Sequence, residues 1–122
     1  MHADRHVVSL TTDAQQAATG YTPVVTGRVL QIHYVKDDFT NGVDFTITSE
    51  ATGQTIWTES NVDASAIKAP RRPTHSTDGV AALYATGGTA VNDHVCLAAD
   101  RVKIAIANGG VGKFGTFHVV IG

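Results

Sequence analysis

Histidine is the residue type in this chain best suited to holding a metal ion, and the sequence contains six. Zinc ligands usually come in pairs separated by about two to five residues. Only His2 and His6 have such spacing, and they lie at the N-terminus. Asp93 and His94 are adjacent, but neighbours on a strand point to opposite faces. The other four histidines, which have no partner at that spacing, are His33, His75, His94 and His118. The sequence therefore predicts no metal site and no cofactor.

A nucleophile is the second kind of chemistry to consider, and Cys96 is the only thiol. Cys96 stands between Val95 and Leu97, a setting that predicts a small buried apolar group. The G-x-S-x-G pattern of a nucleophile elbow is absent. Residue types alone leave a triad assembled from distant positions open. No motif, however, indicates a reaction, and we do not expect an enzyme.

A glycine-rich stretch, NGGVGKFG at Asn108–Gly115, resembles a phosphate-binding loop in composition only. It lacks the G-x-x-x-x-G-K-[ST] frame, and no helical pattern follows to provide a positive dipole end. The stretch predicts a flexible turn that joins the last two strands as a C-terminal hairpin. No small-molecule substrate is expected.

One cluster of basic residues stands out in the segment KAPRRPTH. Two prolines restrict the backbone there, and neither can donate a hydrogen bond to a β-ladder. The segment contains no acidic residue and no aromatic residue on which a base could stack. It therefore predicts docking to an acidic protein surface, with a solvated loop as the alternative. The predicted docking residues are Lys68, Pro70, Arg71, Arg72 and Pro73.

The elements that must position this cluster have the period-2 alternation of strands. The clearest is Val43–Thr58, VDFTITSEATGQTIWT, which predicts a hairpin whose turn ends at Gly53. Alternation also predicts strands at Gly27–Val35, Arg101–Ala107 and Thr116–Ile121. The pattern predicts six or seven strands without a helix, in an all-β, single-domain β-sandwich or small barrel. The predicted core is Leu30, Ile32, Phe45, Ile47, Trp57, Val102, Ile104, Ile106, Phe117 and Val119.

Two segments lack this alternation. Residues 1–26 are predicted to form an N-terminal arm or covering strand outside the core. Residues 61–92 have little periodicity and are too long for an ordinary connection, so they predict an extended loop or docking arm.

The composition is that of one globular domain of 122 residues, with 43% hydrophobic and 16% charged residues. A net charge of −2 gives no overall attraction for nucleic acid. A single cysteine rules out an intrachain disulfide and fits a reducing cytoplasm. No stretch reaches the roughly 20 apolar residues of a membrane span, and the first residues lack the apolar region of a secretory signal.

Taken together, three stretches resemble a small structural protein of tailed bacteriophages and prophages, encoded among head-morphogenesis genes. They are GRVLQIHYVKDDFTNGVDFTITSEATGQTIWT, then APRRPTH followed by Asp78-Gly79, and finally DRVKIAIANGGVGKFGTFHVVIG. The resemblance covers roughly residues 25–122. The family offers no catalytic or ligand residues to assign.

The resemblance implies a non-enzymatic virion protein, made in the host bacterial cytoplasm and located on the capsid surface. The favoured role is capsid decoration, or cement, with the major capsid protein and copies of the chain itself, as a homotrimer, for partners. Nucleic acid, membranes and small molecules are not expected as partners. The alternatives are a head–tail connector or tail subunit, and a carbohydrate-binding β-sandwich.

Overall fold

The computed structural model describes residues 2–122, and these form ten strands with no helix. This confirms the predicted all-β class. In chain order the strands are β1 (Asp4–Thr11), β2 (Ala18–Tyr21), β3 (Val25–Val35), β4 (Val43–Ser49), β5 (Thr55–Val62), β6 (Ala66–Lys68), β7 (Arg71–Pro73), β8 (Asn92–Asp100), β9 (Val102–Ala107) and β10 (Phe114–Ile121).

The strands form two antiparallel sheets that pack face to face. One sheet has the order β1-β10-β3-β8-β7, with β6 also paired to β3, and the other has the order β2-β9-β4-β5. Each sheet in the described chain keeps two edge strands and does not close on itself. Of the two architectures predicted, the β-sandwich is therefore the one observed.

The core lies between the sheets and is centred on aromatic rings. Phe45 of β4 contacts Phe117 of β10 with ring centroids 5.3 Å apart, and Tyr34 of β3 at 5.1 Å. Trp57 packs edge-on against Phe45 at 4.8 Å. Nine of the ten predicted core residues are buried here, Leu30 being the exception.

Leu30 is only partly buried because of a β-bulge in β3. Val120 pairs with Gln31, yet the next residue of β10, Ile121, pairs with Val29. The extra residue shifts the alternation by one position, so that Val29 points into the core in place of Leu30.

The hairpin predicted at Val43–Thr58 is present as β4 and β5. Gly53 closes its turn with φ of +72°. The turn is also held from outside the hairpin, because the buried Asp100 accepts hydrogen bonds from the Ser49 hydroxyl and from Ala51 N, the latter at 2.9 Å. These bonds lower the pKa of the Asp100 carboxyl.

The predicted C-terminal hairpin is wrong. β9 pairs with β2 and β4 in one sheet, whereas β10 pairs with β1 and β3 in the other. Residues 108–113 therefore cross between sheets, and Gly109 and Gly110 are buried there. A glycine-rich turn is compatible with either connection, because strand pairing is decided by distant residues.

The two segments predicted to lie outside the core are more ordered than expected. In β1, Val8 and Leu10 are buried, so the N-terminal segment contributes to the core. Within residues 61–92, β6 pairs with β3 and β7 pairs with β8, and the longest stretch outside the named strands is 74–91. Cys96, predicted to be buried, is exposed on β8 because its neighbours Val95 and Leu97 take the inward positions.

Replacing Phe45 with alanine should lower the free energy of unfolding by about 3–5 kcal/mol, since it empties the centre of the aromatic core. Chemical denaturation measures this change. Phe114→Ala is the control, because Phe114 is 40% exposed and lies outside the buried core, so its removal should cost clearly less. Equal effects of the two substitutions would contradict this description of the core.

Tyr34→Phe should stabilise the fold. The Tyr34 hydroxyl is buried without a hydrogen-bond partner in the described chain, and removing an unsatisfied polar group should gain about 1 kcal/mol. Burial, with the nearby charge of Asp37, raises the pKa of Tyr34 to about 12. The unfolded chain therefore loses this proton at lower pH than the folded chain, and stability should fall from about pH 10 upward.

Denaturation of Tyr34→Phe and wild type at pH 8 and pH 11 tests both effects. The variant should be more stable at each pH, by a wider margin at pH 11. Tyr84→Phe is the control, because that side chain is exposed. A Tyr34→Phe protein less stable than wild type at both pH values would show that the hydroxyl is satisfied after all.

Candidate docking face

The two outer faces of the sandwich differ in chemistry. The outer face of the four-stranded sheet is polar, with the hydroxyls of Thr46 and Thr58 in contact at 3.2 Å. At its border Arg101 forms an ion pair with Glu50 at 2.6 Å and lies over the Tyr21 ring at 4.0 Å. Positive and negative charges balance on this face.

The outer face of the six-stranded sheet has arginines and histidines at outward positions. Alternation from the buried residues fixes these positions, since every residue next to an inward one points out. In the described chain, the cross-strand pairs formed by β1, β10, β3, β8 and β7 have no aspartate or glutamate that points outward. The outward basic and titratable residues are Arg5, Arg28, Arg71, His33, His94 and His118.

One half of this face forms what we call the basic edge: Arg28, Arg71 and His94. Arg28 of β3 lies opposite Cys96, and Arg71 of β7 lies opposite His94. Asp93 lies beside His94, near the start of β8. Hydrogen bonds from His94, together with the charges of His94 and Arg28, lower the pKa of the Asp93 carboxyl. A carboxylate is thus stabilised beside this edge.

The predicted docking cluster is divided by the sheet. Arg71 points outward, and its Nη1 donates to the Pro70 carbonyl at 3.0 Å. Arg72 points to the opposite side, toward the turn of β4 and β5. With the Gln54 amide oxygen facing the guanidinium, Arg72 Nε donates to that oxygen at 3.2 Å and Nη1 donates as well.

The remaining three predicted docking residues also separate. Lys68 pairs with Ile32 and is exposed. It points to the same side of the sheet as Ile32, away from the outer face. Pro70 is buried, and Pro73 pairs with Asn92. Of the five, only Arg71 joins the basic edge. Arg28 and His94 were missed. Arg28 has the same parity as the predicted core residues Leu30 and Ile32, so alternation alone places it inward, and only the bulge in β3 turns it outward.

The other half of the face forms what we call the histidine row: Val7, His118, His33 and Ile67. These four residues are consecutive cross-strand partners on β1, β10, β3 and β6. The two imidazole rings lie 5.6 Å apart, and the flanking Val7 and Ile67 are exposed. The row therefore presents two apolar side chains with two titratable rings between them.

His118 accepts a hydrogen bond at Nδ1 from Arg5 Nη1 at 3.3 Å, which requires the neutral ring. Partial burial lowers the pKa of His118, and the charges of Arg5 and His33 lower it further. Asp37 opposes this effect from the border of the face, where its carboxylate accepts a hydrogen bond from Thr116 Oγ1 at 2.9 Å.

Residues 2–122 contain no pocket, no group of three or more residues placed to hold a metal ion, and no helix that could span a membrane. Neither the known protein-family models nor the curated proteins include a match to this sequence.

Acidification should destabilise the fold through His118. Because the pKa of His118 is lowered in the folded protein, the unfolded chain takes up a proton first as pH falls below about 6.5. Stability should therefore decrease below that pH, and His118→Gln should show a smaller decrease. Urea denaturation from pH 7.5 to 4.5 measures it.

His2→Gln is the matched control, since His2 is an exposed histidine whose side chain pairs with Asp4 at 3.1 Å. Its pH profile should follow that of the wild type. An identical acid decrease in His118→Gln and wild type would mean that other groups account for the pH dependence.

Proposed function

We propose that this protein is a non-enzymatic structural protein of a bacteriophage virion, a decoration protein that attaches to the head shell. The observation that carries the proposal is the basic edge, where Arg28 and Arg71 point outward from one face of the six-stranded sheet. The resemblance in the sequence supplies the viral context. The partner is the major capsid protein, through an acidic patch on its outer surface.

Arginine suits this attachment because its planar guanidinium binds a carboxylate through two parallel hydrogen bonds. Hydrogen bonds to a charged partner contribute about 1.5–3 kcal/mol each when they form in a partly desolvated contact. A few such bonds give only modest affinity for one copy. Attachment of linked copies at neighbouring sites would multiply that affinity.

Charge asymmetry orients the protein during attachment. The chain has a net charge of −2, yet one outer face has arginines at its outward positions. The remaining surface is therefore acidic on balance. An acidic shell would attract the basic face and repel the rest, which favours one orientation at encounter.

Arg71→Ala and Arg72→Ala should have different effects although the residues are adjacent. Arg71 points outward, so its replacement should weaken attachment to purified particles without changing the melting temperature. Arg72 contacts Gln54 across the sandwich edge, so its replacement should lower the melting temperature. Particle binding across a salt series and thermal melting measure the two effects.

The loss of attachment in Arg71→Ala should be largest at low salt, where charge pairs are least screened. Lys103→Ala, on the four-stranded sheet, is the control and should bind as the wild type does. Wild-type occupancy of Arg71→Ala at every salt concentration would overturn the docking role. Electron microscopy of intact particles then distinguishes a decoration protein, spread over the shell, from a connector, confined to one ring.

A further inference from the structure

Residues 74–91 form a projection from the end of the β7–β8 pair, which we call the flap. It consists of two small hairpins, closed by Ser76 N donating to Val80 O at 2.8 Å and by Tyr84 N donating to Thr89 O at 3.0 Å. The hairpins meet at Ala82, whose N donates to Thr74 O and whose O accepts from Val91 N. Main-chain hydrogen bonds thus define the shape of the flap.

The flap has no core of its own. None of its side chains is buried, and three large apolar ones are exposed: Val80, Leu83 and Tyr84, the last at 74%. Ordering a residue costs about 1–2 kcal/mol of backbone entropy. Main-chain hydrogen bonds offset little of this cost, because the same groups bond to water when the segment is disordered. Burial of these apolar side chains against a partner would offset that cost.

The charge of the flap indicates what the partner surface must be. Asp78 is the only Asp, Glu, Lys or Arg among residues 74–91. The Ser76 hydroxyl donates to its carboxylate, which lowers the pKa of Asp78. A complementary surface must therefore be apolar, with a positive group at its border.

The histidine row has these properties. Val7 and Ile67 are 56% and 55% exposed at its ends. Arg5 lies beside it and, in the described chain, contacts His118 but forms no ion pair with a carboxylate. The flap and the row thus match in both apolar character and charge.

We propose that the flap of one copy of this chain covers the histidine row of a second copy. The flap and the row are different surfaces, so the contact is head-to-tail, and repeating it produces a ring if the rotation closes. Val80, Leu83 and Tyr84 pack on Val7 and Ile67, with Asp78 near the partner copy's Arg5. This contact does not depend on a virion role, and it leaves the basic edge of each copy available.

The test is the association of purified protein by sedimentation equilibrium. The wild type should associate with increasing concentration. Tyr84→Asp in the flap and Ile67→Asp in the row should each weaken association by roughly tenfold or more, as expected for a charge placed at the centre of an interface. Val7→Asp is a second row variant, should Ile67→Asp fail to fold. Val24→Asp is the control, because Val24 is 65% exposed, within the range of the substituted residues, but lies between β2 and β3.

A mixing experiment identifies the geometry. Tyr84→Asp keeps an intact row and Ile67→Asp keeps an intact flap, so an equimolar mixture should form one-to-one dimers that grow no further. A mixture that stays monomeric while the wild type associates would overturn the head-to-tail contact. A wild type that is monomeric up to roughly 1 mM, the weak end of protein affinities, would overturn self-association. Neither result depends on binding to particles, so the two proposals can fail separately.

Discussion

The contact of Phe45 with Tyr34 and Phe117 determines which side of each sheet faces the other. These rings come from both sheets, with centroids about 5 Å apart. Once Tyr34 and Phe117 point inward, His33 and His118 must point outward, because adjacent residues on a strand alternate. The composition of the outer face is therefore a consequence of the core. A single aromatic cluster thus sets both the stability of the sandwich and the composition of its outer surface.

The chain passes repeatedly between the sheets, and this brings distant residues onto one surface. β1, β3 and β10 are neighbours in space although they come from the start, the first third and the end of the sequence. Arg5 and His118 are in contact for this reason, across a sequence separation of 113 residues. The flap and the histidine row are likewise distant along the chain, and self-association would join them between copies and not within one.

The fold class could be predicted from the sequence because alternation is local, as the β4–β5 hairpin illustrates. Features that depend on distant pairing could not be predicted. The bulge in β3 places Val29 in the core instead of Leu30, and no residue near Leu30 marks this extra position in the sequence. The glycines after β9 suggested a hairpin, but β10 pairs elsewhere. The sequence groups Arg71 and Arg72 in one basic cluster because their segment lacks a clear pattern, whereas the short strand β7 directs them to opposite sides.

Cys96 provides a direct measurement of the central claim, that the outer face of the six-stranded sheet is a contact surface. It is the only cysteine in the chain, is exposed, and lies opposite Arg28 in the basic edge. The rate of alkylation of Cys96 should be compared between the free, dilute protein and protein bound to particles. We predict rapid alkylation of the free protein and strong protection when it is bound. Equal rates in the two states would show that this face remains open to solvent on the particle, and would contradict the account.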